Sequence, residues 1–165
     1  MDNKLKAIIF GALVMTTISF VPLVNLICCM GILLGGFAAV SSYGKKQTDP
    51  DYRIKNKDGI LLGLFSGLLA AVIVTGINLL LSLLSKENPF TDMMPQIEKY
   101  INTIPPELKN QFQKLTDEFD KFGFSPTLTI ITLISNLIIY PLFGAIGGLF
   151  GVILNKKNKN KKITL

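Results

Sequence analysis

Three long stretches of the chain contain no Asp, Glu, Lys or Arg: residues 7–43, 59–85 and 126–155. Polar residues gather in compact blocks between and around them. A helix needs about 20 consecutive apolar residues to cross the ~30 Å hydrocarbon layer of a bilayer. The second and third stretches each fit one such helix. The first is too long for one ordinary crossing, and it holds Pro22 and Asn25 within the run FVPLVN. Proline removes a helix donor and disfavours helix in the residue before it. A tight turn there predicts a hairpin, with span 1 over residues 5–21 and span 2 over 26–43. One long kinked helix is the alternative. Span 3 is predicted over 59–85, with Asp58 as its N-cap. Span 4 is predicted over 126–155, opened by Ser125 as cap and Pro126 at the first helical position, with a kink at Pro141. Residues 156–165 read as an unstructured basic tail. The fold class is therefore all-α: a four-transmembrane-helix bundle forming a single membrane domain over residues 1–165.

Between spans 3 and 4, residues 90–123 predict an external amphipathic helical hairpin. Its first piece carries Ile97, Tyr100 and Ile101. Pro105 and Pro106 break the chain and start a second helix. There Leu108, Phe112, Leu115, Phe119 and Phe122 recur at helical spacing, with the charges elsewhere, and Gly123 marks the stop. So apolar a stripe needs a cover, which the outer lipid interface, the bundle itself or a partner would supply.

Composition agrees with this layout. Charged residues make up 17% of the 165 residues, against about a quarter in soluble domains, and the mean hydropathy is +0.46. The net charge of +6 does not point to nucleic acid, because the basic residues flank apolar stretches and few aromatics interleave with them. Lysines in cytoplasmic loops set membrane orientation. Lys4 and Lys6 precede span 1; Lys45, Lys46, Arg53, Lys55 and Lys57 lie between spans 2 and 3; Lys156, Lys157, Lys159, Lys161 and Lys162 follow span 4. Four crossings require these three regions to share one side. The segment opposite is acidic, with five lysines against seven acids over residues 86–125. Both termini are thereby expected in the cytoplasm of a cell-membrane protein.

Glycines recur four apart within the spans: Gly31 and Gly35; Gly59, Gly63 and Gly67; Gly144 and Gly148; Gly147 and Gly151. Such stripes let helix backbones approach closely in lipid, where no hydrophobic effect drives association. They read as packing faces within the bundle, with a dimerisation face as the competing use. Residues 31–37 and 59–65 share the pattern GILLGxF, a candidate echo of an inverted repeat. Asn78 and Asn136 are the notable polar residues inside the spans, expected to hydrogen-bond to each other or to line a polar site, with Thr75, Ser66, Ser135 and Tyr140 as further members. No acid, base or histidine lies within any span, which disfavours proton-coupled carriers and voltage sensors. Cys28 and Cys29 are adjacent and cannot close a relaxed disulfide. No catalytic pair, metal-ligand set or cofactor motif is visible.

The order of parts resembles an uncharacterised bacterial family of small four-span integral membrane proteins, a domain of unknown function. A short hairpin leads to SSYGKKQTDPDYRIKNKDG at residues 41–59, then the Gly-rich GILLGLFSGLL at 59–69, an external EKY at Glu98 to Tyr100, and a last span ending in lysines. The Pro105-Pro106 break and the doubled cysteine depart from its pattern. The resemblance implies a bacterial inner-membrane protein and no known activity. The function expected is non-enzymatic: a subunit or scaffold that packs or self-associates through glycine faces, with the bilayer, itself or another membrane protein as partners and no nucleic acid. The alternative is a small neutral-solute carrier or pore with a polar site near Asn78 and Asn136.

Overall fold

The computed structural model describes residues 3–20, 28–45, 54–85 and 106–163. Among the described residues the chain is all-helical. The helices are α1 (Asn3–Ser19), α2 (Cys28–Lys45), α3 (Asn56–Ser85), α4 (Pro106–Phe122) and α5 (Pro126–Ile163). Two stretches, Asn56–Leu84 and Pro126–Lys156, are long and apolar enough to cross a membrane. α1 and α2 have 17 and 18 residues, which at 1.5 Å per residue gives about 26 and 27 Å, a little short of a ~30 Å hydrocarbon layer.

Chain contacts define two compact units, Met1–Val74 with Ser135–Leu165, and Thr75–Ile134. In the first unit, Gly11 of α1 lies against Ala39 and Gly35 of α2, while Met15 lies against Gly35. Rising numbers in α1 thus meet falling numbers in α2, so the two run antiparallel as separate helices. The turn itself, residues 21–27, is outside the described residues. α3 and α5 are antiparallel by the same logic: Gly59 meets Gly148, Gly63 meets Gly144, and Gly67 meets Tyr140 and Pro141.

Glycine is required along this seam for a steric reason. A Cβ on Gly63 would strike the carbonyl of Gly144, and a Cβ on Gly144 would strike the carbonyl of Gly63. The backbones touch, and dispersion contacts hold the two helices together along the seam. α5 carries a second small face one position away. Gly147 abuts the backbone of Leu33, and a Cβ on Gly151 would lie 2.9 Å from that of Val40, so the same helix grips α2. Gly36, outside the four-residue stripe of α2, closes this contact against Gly144 and Gly148. The glycine pair Gly35-Gly36 therefore gives α2 two smooth sides, one toward α1 and one toward α5.

Buried clusters fill the remaining space. Ala12, Met15, Ile32, Ala70, Ala71, Val74 and Tyr140 form one, and Ala7, Val40, Tyr43, Ile54, Leu62 and Val152 the other. The Ser66 hydroxyl donates to the carbonyl of Ile8 at 3.1 Å, tying α3 to α1. The Ser19 hydroxyl donates to Met15 O at 2.8 Å and lies 2.7 Å from the Tyr140 hydroxyl. Ser19 has one proton, so the Tyr140 O–H is the donor in the second bond. Thr16 is buried and, among the described residues, its hydroxyl has no partner. An orphaned polar group of this kind costs about 1–3 kcal/mol. Thr16→Val is accordingly expected to raise the melting temperature of the detergent-solubilised protein.

The starts of α1 and α3, the end of α2 and residues 155–156 of α5 meet at one end of the first unit. Lys4 Nζ lies 3.2 Å from Asp58 Oδ1, joining the start of α1 to the start of α3. Lys156 Nζ donates to Asn56 Oδ1 at 2.9 Å, joining α5 to α3. A Cβ on Gly44, at the end of α2, would lie 3.2 Å from Ile54 and 3.7 Å from Asn155. Asp58 is not the N-cap of α3. The helix begins at Asn56, with Gly59 N–H donating to Lys55 O at 3.2 Å, so Asp58 sits in the first turn, where the helix dipole favours an acid. The tail also differs from expectation, because α5 continues to Ile163. A formed helix extends without a new nucleation cost, lysine is a good helix former, and cations suit a C-terminal end. Pro141 lies inside α5, which passes through it.

Candidate functional site

The second unit consists of the end of α3, all of α4 and the start of α5. α4 stops where the sequence places its breaker: Gly123 has φ 75°, and its N–H donates to Phe119 O at 2.8 Å. That bond is the left-handed glycine cap of a helix C-terminus. Two residues later Ser125 caps α5, its Oγ accepting from Leu128 N–H at 3.1 Å, with Pro126 at the first helical position.

Glu118 completes the corner. Its carboxylate accepts from the Ser125 hydroxyl at 2.6 Å, the Thr127 hydroxyl at 2.6 Å and the Thr127 N–H at 3.1 Å. An anion at a helix N-terminus also meets the positive end of the dipole. The bonds from Ser125, then those from Thr127, favour the charged form and hold the Glu118 pKa below the usual carboxylate range, with nearby Lys114 helping. Because the folded-state value is depressed, the unfolded chain binds more protons in the window between the two values. The stabilisation is complete above the ordinary glutamate pKa of about 4.3 and is lost as pH falls through the lower folded value. In melting curves taken from about pH 7 down to about pH 3, the wild type should lose this contribution. Glu118→Gln, whose amide presents donors to donors, should melt lower at neutral pH, and the gap should narrow in acid.

Of the predicted apolar stripe, Phe119 is buried, Phe112 and Leu115 are half-buried, and Phe122 is 59% exposed, its ring centroid 6.5 Å from that of Phe124. The Leu108 side chain is outside what the structure describes.

Beside Phe119 lies a cavity of about 230 Å³. Thr75, Asn78, Leu79 and Ser82 of α3 form one wall. Leu128, Thr129 and Thr132 of α5 form another with the cap residue Ser125, and Phe119 of α4 completes the lining. Asn78 thus lies at a cavity of the second unit. Asn136 is half-buried and belongs to the first. Ser66 and Tyr140 bond within the first unit, to Ile8 and Ser19. The sequence reading missed Ser82, Thr129 and Thr132, which share one face with Asn78 only once α3 and α5 are brought together. The remaining predicted residues, Gly31, Gly35, Gly59, Gly63, Gly67, Gly144, Gly148 and Gly151, are all buried in the first unit. Among the described residues, no cluster of three His, Cys, Asp or Glu could hold a metal ion. No family model, curated protein or solved structure matches the chain.

Proposed function

We propose that the chain is a non-enzymatic multi-pass protein of the cell membrane that crosses the bilayer four times, keeps both termini in the cytoplasm and serves as a subunit or scaffold. The observation that supports this most is the chemistry of the outer surface. Only 44% and 39% of the most apolar windows of α3 and α5 are buried. Outward-facing residues include Leu61, Phe65, Val72, Ile138, Leu142 and Phe150. Burying one such side chain stabilises by about 1.5–3 kcal/mol, so water would penalise this surface heavily and hydrocarbon would not. The basic residues support the orientation. Lys4, Lys45, Lys57 and Lys156 are exposed at the end of the first unit where α1, α2, α3 and α5 come together, as the positive-inside rule asks of a cytoplasmic face. α1 and α2 are short but adequate for a bilayer that thins locally around them.

The glycine faces are occupied inside the chain, which favours the packing role over self-association through the same stripes. A partner must then meet another surface, and no activity follows from the family resemblance. The test is purification of the full chain at native expression level in mild detergent, followed by intact-mass measurement. The expected result is a complex of fixed stoichiometry with another membrane protein. A lone monomer contradicts the subunit role.

A further inference from the structure

We propose that the cavity of the second unit is a binding site for a small uncharged group rich in O–H donors. The proposal uses the second unit alone and does not depend on how many times the chain crosses a membrane. No charged side chain lines the cavity, and an ion would enter without compensation for its lost hydration. At about 230 Å³ it falls below the ~300–1,000 Å³ of drug-sized sites. Two of its hydroxyls have already spent their protons. The Thr129 hydroxyl has already given its proton to Ser125 O at 2.9 Å, and Ser125 has given its own to Glu118 at 2.6 Å. Thr129 Oγ1 therefore offers lone pairs to an occupant, and the exposed Asn78 amide offers a carbonyl and two N–H groups. Leu79, Leu128 and the Phe119 ring supply an apolar face for C–H groups. Polar groups interleaved with apolar ones suit a polyol, either as a free solute or as the neutral hydroxylated headgroup of a lipid.

Full-length protein in nanodiscs of a zwitterionic lipid is titrated with myo-inositol and glycerol, with benzene and glycerol 3-phosphate as apolar and anionic controls. Binding is read by saturation-transfer NMR. A second arm dopes the nanodiscs with a glucosyl diacylglycerol and measures how much of it is retained on purification. Saturable binding of a free polyol, or selective retention of the glycolipid, is expected. Asn78→Leu and Thr132→Val should each weaken it about tenfold while leaving the melting curve in place, and Thr129→Val serves if either variant fails to fold. The first arm alone would identify a free solute as occupant, and the second alone a lipid headgroup. Silence in both arms, equal signals from benzene or glycerol phosphate, or binding unchanged in the variants would overturn the proposal.

Discussion

Gly63→Ala is expected to destabilise the protein by roughly 2–3 kcal/mol, the upper part of the usual overpacking range. One methyl group has this effect because it meets the Gly144 carbonyl. Backbone cannot rotate aside as a flexible side chain would, so α3 and α5 must separate along their whole seam. Gly144→Ala should cost a similar amount from the opposite side. The double variant should cost less than the sum, since one separation accommodates both methyls. Gly76 is the internal control. It lies on the same helix with nothing within 4 Å of a Cβ, and Gly76→Ala should be neutral or stabilising by up to about 1 kcal/mol through helix propensity. Equilibrium unfolding in mixed detergent micelles measures all four variants. A Gly63→Ala protein as stable as wild type would mean that the seam is not close-packed.

Val72→Arg and Ile138→Arg should have effects of comparable size by a different route. Both positions lie near the middle of the two long apolar helices and are 56% and 63% exposed. On a soluble protein an arginine at such a place changes stability by only about ±0.5 kcal/mol. At the centre of a lipid-facing helix it costs about 2.5–3.5 kcal/mol on the insertion scale. The expected outcome is a marked drop in membrane-integrated protein, scored by carbonate extraction and by an insertion assay of each segment. Exposed Lys57→Arg, at the basic end, should leave both readouts unchanged.

Much of this architecture is legible in the sequence because local chemistry dictates it. Gly123 ends α4 and Ser125-Pro126 starts α5, each through a backbone rule that needs no distant partner. The parts that are not legible depend on tertiary neighbours. Glu118 reads as one more charge on a solvent face, and only the fold brings it within 2.6 Å of Ser125 and Thr127. Asp58 reads as a cap by its position before Gly59, but the helix gains an earlier turn and Asp58 pairs with Lys4 at 3.2 Å. Gly36 lies off the four-residue period of Gly31 and Gly35, so a search for one stripe passes over it, although it touches Gly144. The cavity is hidden for the same reason: Thr129 and Thr132 are ordinary in a helix until Asn78 and Ser82 face the same space.

The proposed topology puts a bilayer around the apolar helices and the lysine-bearing ends on its inner side. Single cysteines at Lys57, Gln113 and Lys156, in a background with Cys28 and Cys29 replaced by alanine, read this directly when intact cells are treated with a membrane-impermeant maleimide. Labelling at Gln113 from outside, and at Lys57 and Lys156 only after permeabilisation, is the predicted result. Labelling of Lys57 or Lys156 on intact cells, protection of Gln113, or recovery of the protein in the soluble fraction would contradict it.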